Sequence, residues 1–122
     1  MVTMTKAPEV LLADVVDKAY DVIDANGYCK TYLYDTKQAA GGTSLKDCRV
    51  DLFGAINIAV HGTPRWVGGS NLVADTEKAV TTDCGAVSLA AWMTQKGHNK
   101  REALALLKRT SARLRLQAVT KA

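Results

Sequence analysis

At 122 residues, 48% hydrophobic and 23% charged, the chain has the size and composition of one globular domain, which excludes disordered and collagen-like classes. Its net charge of +4 is unevenly spread: from Asn99 onward seven Lys and Arg residues accompany one acid, Glu102, for +6, which leaves the preceding residues at −2. Three widely spaced cysteines without a C-x-x-C pair, no apolar run near the ~20 residues of a membrane span and no apolar leader predict a cytoplasmic protein with free thiols and no metal.

Residues 1–7 read as a flexible lead. Pro8 suits the first turn of a helix, where its missing N–H is no loss. Leu12, Val15, Val16, Ala19, Val22 and Ile23 then form one apolar stripe, and Asn26-Gly27 supply a stop. The opposite face carries Asp14, Asp17, Asp21 and Asp24, a solvated acidic face or a docking surface for a cationic partner. Tyr28 to Tyr34 is rich in aromatic and β-branched residues and predicts a short strand, paired with residues 36–40 in a hairpin or with Trp66-Val67.

Gly41-Gly42 interrupt the chain before a second helix, whose start is placed at Ser44, with Asp47 three residues on. Leu45, Cys48, Leu52, Ala55, Ile56 and Ala59 make its stripe, and His61-Gly62-Thr63-Pro64 end it. In the following loop Trp66 is expected to cover the core. A third helical stretch runs from Asp75 towards Lys96, as one imperfect helix or as two meeting near Gly85, with Trp92 as a core anchor. The fourth helix opens at Asn99, with Glu102 completing a capping box, and its seam is read as Leu104, Leu107, Ser111, Leu114 and Ala118. Leu106 and Leu116 are read as lying off that seam, and residues 119–122 as a flexible tail. The expected fold is mainly α: about four helices in one domain over residues 8–118, with a short strand or hairpin after the first helix.

The chemistry-bearing motifs are sparse. There is no nucleophile elbow, zinc-protease helix, P-loop or dinucleotide fingerprint. The expectation is a protein without catalytic, metal or cofactor residues, and a thiol enzyme using Cys29, Cys48 or Cys84 with His61 or His98 is a distant third reading. The strongest clue is the last helix, where Arg101, Lys108 and Arg115 recur every seven residues and Arg109 and Arg113 lie on the other side. Arg stems cover apolar surface while their heads meet carboxylates, so a protein partner or a homodimer is expected there. Phosphate-backbone binding to nucleic acid through the same residues is the alternative, although no aromatic side chain interleaves with the arginines to stack on bases.

Gly27-Tyr28, Leu52-Phe53-Gly54-Ala55-Ile56, Ser88-Leu-Ala-Ala-Trp92 and Arg101-Glu-Ala-Leu104 together resemble a family of short domains of unknown function found in actinobacteria and their phages. The resemblance covers most of residues 10–115. It implies a helical domain, brings no activity, substrate or cofactor, and suggests a small phage or prophage accessory protein that binds a host factor. The chain departs from the pattern at Asp51, where members often carry Cys, and at Met93-Thr94, where they often carry Asn-Asp.

Overall fold

The computed structural model describes residues 7–121, and the side chains of residues 7–120. The expected flexible lead therefore lies outside the described residues apart from Ala7, as does Ala122 at the end of the expected tail. Among the described residues six α-helices follow in order: α1 (Pro8–Asn26), α2 (Thr36–Ala40), α3 (Leu52–His61), α4 (Asn71–Cys84), α5 (Leu89–Thr94) and α6 (Lys100–Lys121). Among the described residues, no helix is long and apolar enough to cross a membrane.

Two long helices frame the molecule. Helix α1 starts at Pro8 and stops at Gly27, whose φ of 100° few other residues adopt and whose N–H caps the Ile23 carbonyl. It buries Ala13, Val15, Val16, Ala19 and Ile23. Helix α6 runs antiparallel to it: Arg115 reaches Asp14 and Asp17, while Lys100 reaches the Asp24 carbonyl at the other end. Asn99 starts α6 as expected, its side chain accepting from the Glu102 N–H. The seam is wider than the sequence reading: Leu107, Ser111 and Leu114 are buried as expected, and Ala103, Leu106 and Thr110 join them, because α6 packs on both α1 and α4. Leu106 is fully buried, contrary to its outward assignment, and Leu104 lies half-buried at the edge. Burying a leucine contributes about 1.5–3 kcal/mol, so the phase that covers both Leu106 and Leu107 wins.

Helices α3 and α4 close the core with Leu52, Ala55 and Ile56 from one and Val73, Ala79 and Val80 from the other. The stretch expected from Asp75 begins earlier, because the Ser70 hydroxyl caps the Val73 N–H. It is two helices, broken at Gly85 with φ of 73°. Trp92 is 4% exposed and anchors α5, its ring stacked on His98 at 3.9 Å while His98 Nδ1 meets the Trp92 carbonyl at 2.5 Å. Trp66 does not cover the core; it is 70% exposed, and Pro64 is the residue of the 62–70 loop that is fully buried.

The segment between α1 and α3 differs most from expectation. Residues 36–40 form helix α2, capped by the Asp35 carboxylate on the Lys37 and Gln38 N–H groups, so no hairpin forms there. Ser44 opens only a single 3-10 turn, Leu45–Asp47, before the chain extends again. The expected strand over 28–34 is reduced to its two ends: Tyr28 and Tyr34 form isolated bridges with Val50 of this extended piece, one parallel and one antiparallel, and the residues 30–33 between them bend. The Cys29 N–H donates to the Val50 carbonyl, the Val50 N–H to Gly27 and the Asp35 N–H to Arg49. A helix from Ser44 would forfeit these bonds and lift Cys48 and Val50, both fully buried, out of the core. The helix proper begins at Leu52, where the Asp51 carboxylate accepts from the Gly54 N–H at 2.8 Å.

Candidate functional site

The antiparallel α1–α6 pair positions most of the charged residues singled out in the sequence. Each heptad on α6 brings a cation back to the α1 side, and the aspartates of α1 recur at similar spacing, so the two rows meet. Arg115 sits between Asp14 at 3.1 Å and Asp17, and the two carboxylates raise its already high pKa further. These three residues join the helices to each other and are occupied within the molecule.

Arg113 is likewise committed. Its Nε donates to both oxygens of Asp83 at 2.9 Å, one terminal nitrogen to the Ala79 carbonyl at 3.0 Å, and the other to Gln117 at 3.2 Å. With side chains 28% and 17% exposed, the Arg113–Asp83 pair is less screened than a surface pair and clamps α6 to α4. Arg113→Ala should therefore lower unfolding stability by about 1–2 kcal/mol, read from urea denaturation, whereas Arg109→Ala at an exposed position should shift it by less than about 0.5 kcal/mol.

What remains exposed is Arg101, Lys108 and Arg109 on α6, with Asp21 and Asp24 on α1. Among the described residues, Arg101, Lys108 and Arg109 make no ion pair. Arg101 and Lys108 flank an open groove of about 660 Å³, with Tyr20, Leu104 and Ala105 as its apolar surface and Lys100 at its end. A smaller depression of about 260 Å³ continues along α1 past Tyr20 and Lys108 to Asp17 and Asp21. Arg109 does not line either depression.

Sequence reasoning names Arg101 and Lys108 of this groove but misses Lys100 and the apolar part. Tyr20 follows Ala19 of the buried stripe and lies at its edge, a signal that was present; Leu104 had been assigned to the core seam. Cys29 and Cys48 have the opposite character from activated nucleophiles. Burial pushes Cys29 up to about 11, Cys48 is fully buried, and no group of three metal-ligating side chains occurs among the described residues.

Residues 7–113 match a family of unknown function, DUF6197, and the chain belongs to it. The match spans α1 through Arg113 of α6, including the whole groove. No curated protein and no solved structure matches the chain.

Proposed function

We propose that this protein acts by binding another protein through the α1–α6 groove, and that the partner presents an acidic segment with an apolar side chain. One observation carries the reading. An open apolar surface of Tyr20, Leu104 and Ala105 is bordered by the cations of Lys100, Arg101 and Lys108, and the latter two have no carboxylate partner among the described residues. Such a surface resembles the centre and edge of a protein interface, where an apolar contact gives affinity and surrounding charges give orientation. A phage or prophage accessory role, with a cytoplasmic host factor as the partner, is the setting in which we place this binding.

The nucleic-acid reading draws on the same helix with fewer charges than the sequence suggests. Arg113 and Arg115 are neutralised by Asp83, Asp14 and Asp17, and the exposed Asp21 beside Lys108 would repel a phosphate. The test is a pull-down from the native host with the wild type and with Arg101→Glu/Lys108→Glu, followed by titration of the captured protein. Charge reversal should weaken that complex at least tenfold, and raising salt should weaken the wild-type complex more than the variant's. Unchanged capture by the double variant, or nucleic acid that co-purifies and is released by salt, would overturn the proposal.

A further inference from the structure

The 62–70 loop folds beside the junction of α3 and α4 and leaves a depression of about 250 Å³, away from the α1–α6 groove and independent of it. Trp66 forms part of its wall. A Cβ added at Gly68 would lie 2.9 Å from Trp66 Cη2 and 3.2 Å from both Cζ2 and Cζ3. That near-equality places Gly68 over the face of the six-membered ring rather than beyond its edge. Gly68, with φ of 81°, thus supports the indole on one side while the ring stays 70% exposed. A large aromatic side chain held open to solvent in this way is a stacking surface, and among the described residues no second ring stacks on it.

The polar groups beside it are of mixed character. Asn57 is 3% exposed; its amide donates to the Phe53 carbonyl, and among the described residues nothing donates to its Oδ1. Glu77 is half-buried, and burial, with the Asp51 charge second, raises its carboxyl pKa. His61 and the Asn71 side chain add donors, and neither Lys nor Arg lines the depression. A phosphate or carboxylate ligand would meet Glu77 without a compensating cation.

We propose that this depression binds one uncharged sugar ring, stacked on Trp66 and hydrogen-bonded through Asn57 and Glu77. A pyranose offers an apolar C–H face for the indole and hydroxyls that both donate and accept, which suits Asn57 Oδ1 and Glu77 as acceptors and His61 and Asn71 as donors. The volume lies below the roughly 300 Å³ at which drug-sized sites begin, so it accommodates a single ring rather than a chain.

The experiment titrates the full-length isotope-labelled protein with D-glucose, D-galactose, D-mannose and N-acetyl-D-glucosamine, and in parallel with choline and adenosine, following indole and side-chain amide NMR signals. At least one sugar should shift the Trp66 and Asn57 signals saturably at millimolar concentration, while the Trp92 indole, stacked on His98, stays in place. Trp66→Ala and Glu77→Gln, the first at an exposed side chain and the second nearly isosteric at a half-buried one, should each weaken binding at least fivefold with the rest of the spectrum preserved. No saturable shift with any sugar, or Asn57 shifts unchanged in Trp66→Ala, would overturn the proposal. Tighter binding of choline or adenosine than of every sugar would also overturn it, in favour of a cationic or a nucleobase ligand.

Discussion

Gly54→Ala should destabilise the domain by more than about 3 kcal/mol, enough to leave much of it unfolded at moderate temperature. Helix propensity alone predicts the opposite sign, since alanine is favoured over glycine inside a helix by roughly 1 kcal/mol. The difference lies in what the new methyl group would meet. A Cβ on Gly54 would stand 1.7 Å from the Leu33 carbonyl oxygen, 2.7 Å from its carbon and 3.1 Å from Val50 Cβ. Two of these are backbone atoms, which no rotamer change can move aside. Leu33 itself holds φ of 72°, a conformation rare for a leucine and sustained only by its surroundings. Either α3 lifts away from the 28–34 segment, or that segment loses its seat between Val50 and α3. Urea denaturation of the variant beside the wild type measures the effect; an equal or higher midpoint would mean that the close approach of Leu33 to Gly54 is not maintained in solution.

The second large effect is a pH dependence centred on Asp51. This carboxylate is 2% exposed, and burial pushes its pKa from 3.8 up to about 6, although the backbone N–H groups of Gly54, Leu33 and Phe53 favour the charged form. The folded state therefore holds a proton that the unfolded state has already released between about pH 4 and pH 6. Stability from this group is fully present below the unfolded pKa and is lost as pH rises through the folded one. Asp51→Asn removes the titration while keeping an oxygen that accepts from the helix N-terminus. The unfolding free energy of wild type minus variant should fall by about 2–3 kcal/mol between pH 4 and pH 7.5. Taking the difference largely removes contributions of groups common to both proteins, such as Asp35, whose pKa is shifted down mainly by the Gln38 N–H. A difference independent of pH would show that Asp51 is not desolvated as the structure places it.

The long helices were legible because their signals are local. Pro8 and Asn26-Gly27 bound α1, Asn99 and Glu102 open α6, and the apolar stripe of α1 has the period of a helix. The segment from Gly27 to Asp51 was not legible in the same way. Its conformation depends on Val50 bonding to residues more than 15 positions away, and on a Gly54 whose lack of a side chain matters only once Leu33 is overhead. The broadening of the α6 seam has a similar origin: Leu106 turns inward because α6 meets two helices, which spacing within α6 cannot reveal. The candidate groove was half legible. Arg101 and Lys108 were named from their heptad spacing, but whether a cation is free or paired depends on the distant carboxylates of Asp14, Asp17 and Asp83.

The pairing of α1 with α6 also governs when this chain can fold. The contacts that fix it join residues at separations of 76, 98 and 101 positions, and they form the largest helix–helix interface of the molecule. During synthesis, Val15, Val16, Ala19 and Ile23 leave the ribosome long before Leu106, Leu107 and Leu114 exist to cover them. At translation rates of about 5–20 residues per second, that apolar stripe waits for seconds without its partner. The domain is thus expected to complete its fold only after nearly all of α6 has emerged, and nascent chains halted before Lys100 should expose α1 to chaperones and proteases.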